Sequence, residues 1–261
     1  MRAFAHHAVY EFRSGFRDKG ALLMTYLFPL VFFALVGGLM SKINPLFGKT
    51  MLAAMTVFAL MSSALLSLPS AFVTARESGL LRSYRINGVP AWAALAAPSL
   101  ANLAHLILVT AVFAIAGSLA FGASLPESWP AFIGAWLVVV AAMSGLGSLI
   151  GAIAGSGKAA ILLSQLFFVP SIILGGLMMP ADILPPAFAK ASNIFPATHA
   201  MRAFAGGGGS GEALIALALG AILSFAAALA IYDWDPKGGR AGARKLLGLI
   251  ALAPYAATML L

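Results

Sequence analysis

Six long apolar runs divide the chain, each near the twenty residues that a helix needs to cross a bilayer. They are Ala21–Ser41, Met51–Val73, Pro98–Phe121, Pro130–Ala154, Ala159–Met179 and Ala213–Tyr232, and none contains a Lys, Arg, Asp or Glu. The apolar positions are continuous rather than alternating, which predicts spanning helices and not barrel strands. Ahead of the first run, Phe4, Ala5, Ala8, Val9, Phe12 and Phe16 recur at helical spacing, with Arg2, Arg13 and Arg17 off that face. This predicts a basic amphipathic helix over residues 2–20 lying in the membrane interface, and not a cleavable signal.

Two polar segments between the runs carry structure of their own. Residues 76–90 read as a short helix stopped by Gly88 and Pro90, with Leu80, Leu81 and Tyr84 on one face and Arg82 and Arg85 on another. Such a face suits a groove on another protein. Residues 180–211 contain Pro180, Pro185, Pro186 and Pro196, so no single helix covers them. Short helices capping the end of the fifth span are expected, as an outer gate. The last residues, 241–261, read as a basic linker and an apolar tail containing Pro254. At about 1.5 Å per residue the tail falls short of a bilayer core, so an interfacial segment or a partial seventh span is expected.

Composition fixes the class. Apolar residues are 61% of the 261 and charged residues 9%, too few charges to cover a soluble surface. The net charge is +8, and the distribution of Lys and Arg between the loops sets topology. Arg2, Arg13, Arg17, Lys19, Arg76, Arg82, Arg85, Lys158, Lys237, Arg240, Arg244 and Lys245 fall on one side of the membrane, against Lys42, Lys49, Lys190 and Arg202 on the other. The positive-inside bias places the N-terminus and the segment after span six in the cytoplasm. The fold class is thus an all-α polytopic membrane protein with six transmembrane helices.

Little in the chain carries catalysis. Zero Cys excludes disulfides and thiolate metal sites. The stretch GAIAGSGK at residues 151–158 resembles a phosphate-binding loop but has Ala152 and Ala159 where Gly and Ser or Thr are required. Ser210 has Glu212 where a nucleophile elbow needs Gly. The chain is therefore expected to be no enzyme and to hold no metal. His105 and Asn102, three apart in span three, form an intramembrane polar pair, read as an interhelical hydrogen bond or as a functional site. Gly147, Gly151 and Gly155 repeat every four residues in span four, a helix-packing stripe.

The two polar segments resemble the type-2 family of ABC transporter permeases, the membrane subunits of small bacterial exporters. The marks are Arg76-Glu77-Ser78-Gly79-Leu80-Leu81, then Gly176–Pro180, Leu184-Pro185, the Asn193–Thr198 run (NIFPAT) and Arg202. Phe28-Pro29-Leu30 of span one is also similar to the family. Leu80 stands where many members have Thr, and Gly88 where many have Pro; the apolar tail is not a family feature. The resemblance covers about residues 1–240, read as one transmembrane domain. It implies a homo- or heterodimer of permeases in a prokaryotic inner membrane, with ATP and Mg bound by a partner ABC ATPase. It implies an ATPase-docking coupling loop at Arg76, Glu77, Gly79, Leu80, Leu81, Arg82, Tyr84 and Arg85. It implies a substrate path in spans two and five, near Phe58, Met61, Gln165 and Phe168, and an outer gate at Pro180, Pro185, Asn193, Pro196, Thr198 and Arg202. The cargo expected is hydrophobic or amphipathic: a drug, antibiotic or lipid-like molecule. An ion-coupled transporter or channel using His105, and a non-transporting assembly subunit, are the alternative readings.

Overall fold

The computed structural model describes residues 12–13, 15–44, 47–178, 183–234 and 243–259. Among these residues the structure is all-helical, and six helices are long and apolar enough to cross a membrane: α1 (Lys19–Ile43), α2 (Phe47–Glu77), α4 (Ala91–Phe121), α5 (Trp129–Ile153), α6 (Gly157–Leu174) and α9 (Ser210–Ile231). The short helix α3 (Leu80–Ile86) joins α2 to α4, and α7 (Pro186–Ser192) and α8 (Pro196–Ala205) lie between α6 and α9. The bundle thus has a loop end, carrying α3, and a cap end, carrying α7 and α8. A terminal 3-10 helix (Ala243–Leu252) and α10 (Ala253–Ala257) follow α9. The apolar face predicted before the first span reaches the described residues only at Phe12 and Phe16; Phe4, Ala5, Ala8 and Val9 lie outside them.

α2 and α5 are the inner helices. Met51, Met55, Phe58, Met61 and Leu65 of α2 pack in the core with Val139, Met143 and Leu146 of α5. α1 turns Leu27, Val31, Leu35 and Leu39 outward every four residues, as a helix facing apolar surroundings does. Span three begins seven residues before the Pro98 boundary predicted for it: α4 starts at Ala91, straight after Pro90, and carries Pro98 inside it. Bilayer spans tolerate such a proline because neighbours re-satisfy the freed carbonyl.

Two other prolines reshape their helices. Pro29 and Pro69 each follow a π-helical turn, Leu23–Leu27 in α1 and Ser62–Ser67 in α2. In each turn the last bond runs five residues back, Phe28 N–H to Leu23 O and Leu68 N–H to Ser63 O. The next donor in that ladder is a proline, which has none. The carbonyls of Met24 and Ala64 are therefore left over. Met24 O accepts from the Ser62 hydroxyl at 2.5 Å. Ala64 O abuts Gly147 of α5, where a Cβ would come within 1.9 Å of the oxygen. Of the glycine stripe, Gly147 seats against this carbonyl and Gly151 against the Phe72 ring, while Gly155 faces open space.

Candidate functional site

At the loop end, Gly79 carries the chain from α2 into α3 with φ +79, a conformation that favours glycine. Gly88, at φ +74, closes α3, with Val89 N–H bonding back to Tyr84 O at 2.9 Å. Pro90 then opens α4, so the predicted stop signals work as read. Arg76 is buried, and its guanidinium donates to the carbonyl of Ala154, the C-cap of α5. A cation there also meets the negative end of the helix dipole. Leu81 is buried beside it, near Phe72 and Leu95. Of the remaining loop residues, Glu77, Leu80, Arg82 and Arg85 are exposed and Tyr84 is half-buried. Ile86 is 78% exposed. The expected face of Leu80, Leu81 and Tyr84 is thus divided. Leu81 anchors α3 to the bundle, while Leu80 and Ile86 present apolar surface outward.

A cavity of about 620 Å³ opens between α1, α2, α3, α4 and α6 at this end. Its polar wall is a stripe of hydroxyls on α2, namely Ser67, Ser70, Thr74 and Ser78, faced by Gln165 of α6. Asp18 stands at its edge, accepting from the N–H groups of Gly20 and Ala21 as the N-cap of α1. Only Gln165 of the four expected path residues lines this space. Phe168, one turn further toward the cap end, belongs to an aromatic block centred on Phe58. Phe58 stacks on Phe32 at 3.7 Å and lies 5.3 Å from Phe28 and 5.8 Å from Phe168. Phe58 and Met61 are fully buried. On α1, α2 and α6 alike the block sits one or two turns capward of the residues that line the cavity. The hydroxyl stripe was not singled out from the sequence, although its spacing of three, four and four residues places it on one helix face.

A polar cluster lies beside the cavity. Thr25 and Ser63, both in π turns, share a hydrogen bond of 2.9 Å, and Ser63 donates to Asn102. The Tyr26 hydroxyl meets His105 Nδ1 at 2.6 Å, and Phe12 and Phe16 pack on the His105 ring. Asn102 and His105 thus make separate interhelical bonds across to α1 and α2.

At the cap end, Pro185 precedes α7, Asn193 ends it, and Pro196 opens α8. The Thr198 hydroxyl donates to Ser192 O at 2.6 Å, and His199 Nε2 donates to Asn193 O at 2.8 Å. The Asn193–Thr198 run therefore knits the two short helices into one cap. α8 is buried from Pro196 to Ala200 over the bundle end, and Arg202 is exposed. Burial lowers the pKa of His199 and so favours its neutral ring, with the Asn193 bond opposing and Arg202 reinforcing that shift. Pro180 lies outside the described residues.

A family model, ABC-2 type transporter, matches residues 3–207. The match takes in the first five spans, α3 and the cap, and ends before α9. No curated protein matches the chain.

Proposed function

The chain belongs to the ABC-2 type transporter family as a multi-pass membrane permease subunit, and we propose that it forms the export path for an amphipathic, lipid-like or drug-like molecule. Energy comes from a separate ABC ATPase, which holds the ATP and Mg. A second permease copy or paralogue completes the path across the inner membrane of a prokaryote. The loop end faces the cytoplasm, in keeping with the excess of Lys and Arg there.

The observation that carries this reading is the position of α3. It follows the buried Arg76 of α2, is anchored by buried Leu81, presents Leu80, Arg82, Arg85 and Ile86 outward, and forms one wall of the 620 Å³ cavity. A push on α3 from an ATPase reaches the cavity wall and, through Arg76, the end of α5. That is a two-state rigid-body device: nucleotide closure favours one arrangement by its differential contacts. The hydroxyl stripe and the apolar walls suit a cargo with one hydrogen-bonding end. The aromatic block around Phe58 and the α7–α8 cap act as inner and outer closures of the path.

Isolation of the tagged protein in gentle detergent tests the proposal. An ATPase with a phosphate-binding loop is expected to co-purify, and Ile86→Glu should remove it while leaving the permease monodisperse. Retention of the ATPase by Ile86→Glu would refute docking through α3.

A further inference from the structure

The segment after α9 lies beyond the family match, and its contacts run from the loop end of α5, past the middle of α9, to the buried cap helix α8. Near its start Gly248 sits against Ile153 and Leu149 at the loop end of α5, a Cβ on Gly248 coming within 2.7 Å of the Ile153 side chain. Further on, Tyr255 is buried in a notch at Gly220, in the middle of α9, where any Cβ would fall 2.0 Å from the phenol oxygen. At its end the Thr258 hydroxyl is 3.5 Å from His199 Nε2 of the cap, and the Tyr255 and His199 rings are 5.4 Å apart. These three contacts follow one another from the loop end to the cap end.

Its conformation fits that path. Ten residues are 3-10 helix and five are α-helix. A 3-10 helix rises about 2.0 Å per residue, so the stretch reaches roughly 27 Å, whereas α-helix throughout would reach about 22 Å. The bilayer core is about 30 Å thick. Runs of 3-10 helix longer than three or four residues are uncommon, and here the stretched form lets a short segment cover the distance. Its faces are those of a lipid-facing helix. Leu246, Leu249 and Ile250 are exposed, while Gly248, Ala251 and Tyr255 face the bundle. An interfacial helix carries a charged face toward water; no charged residue occurs from Leu246 to Ala257.

We infer that residues 243–259 form a seventh membrane-crossing segment, seated on α9 through the Gly220 notch, which brings Thr258 to the cap helix α8. The α9 face that holds Tyr255 is therefore occupied by the chain itself and is closed to a second copy. The inference does not depend on what the protein transports.

The chain has no cysteine, so single-cysteine labelling is free of background. Gly155→Cys marks the loop end and Gly208→Cys the cap end, both at positions with nothing within 4 Å of the added Cβ. A cysteine appended after Leu261 should react with a membrane-impermeant maleimide in sealed, oriented vesicles from the same face as Gly208→Cys. Reaction from the face of Gly155→Cys would overturn the crossing. In the same background Gly220→Leu should expel Tyr255 and bring the appended cysteine to the loop face. An unchanged labelling pattern in that variant would overturn the notch as the seat.

Discussion

Arg76 and Glu77 are neighbours with opposite surroundings. The Arg76 side chain is turned inward on the Ala154 carbonyl, and that of Glu77 is exposed. Truncating Arg76 to Ala leaves a helix end without its partner, and a lost charged hydrogen bond of this kind costs about 1.5–3 kcal/mol. Arg76→Ala is expected to lower the thermal midpoint in detergent. Glu77→Lys should leave that midpoint unchanged and uncouple ATP hydrolysis from transport in proteoliposomes; full coupling in this variant would count against the assignment of α3. His199 makes the cap acid-sensitive. Its folded pKa lies below the ordinary value of about 6.5, so on acidification the unfolded chain takes up protons first. Cap stability is complete above that value and falls as pH drops below it. A pH series of melting curves should show this loss, and His199→Gln should flatten it.

At the scale of elements, close approach governs. Gly147→Ala forces a methyl group onto the Ala64 carbonyl, and overpacking of this kind costs about 1–3 kcal/mol. Gly155→Ala, facing open space, should melt as the parent does. The spans were legible because twenty-residue apolar runs have few alternatives in a bilayer, and the end of α3 was legible because Gly88 and Pro90 punctuate it. The helix α4 extends seven residues ahead of the apolar run that begins at Pro98, because a proline is tolerated within a membrane helix. The π turns were not read, although Pro29 and Pro69 announce them. The leftover Met24 carbonyl finds its donor on another helix, and pairings such as Ser62 with Met24 or Arg76 with Ala154 join residues far apart in the chain, where no local pattern shows them.

For the whole molecule, the two ends differ in what they present. The loop end combines an outward-facing short helix with an open cavity, and at the cap end α8 is buried over the bundle. If two such bundles make the path, the complex with its ATPase should contain two copies of each. Mass photometry of the co-purified assembly checks this, and a single permease per ATPase pair would require a different path. In the proposed cycle the Phe58 block must part before cargo reaches the cap. Phe58→Ala should accordingly raise basal ATP hydrolysis and weaken its stimulation by amphiphiles, read in nanodiscs.

The π turn in α2 has a consequence for how this lineage can change length. A π turn is an α-helix holding one residue too many. Removing a single residue there, together with Pro69→Ala, would restore the regular ladder while both halves of the helix keep their faces. The same deletion elsewhere in α2 would rotate one half by about 100° against the other, swinging Phe58 and Met61 out of the core. Relatives one residue shorter in this span should therefore carry the gap between Ser62 and Ser67 and lack the proline that follows.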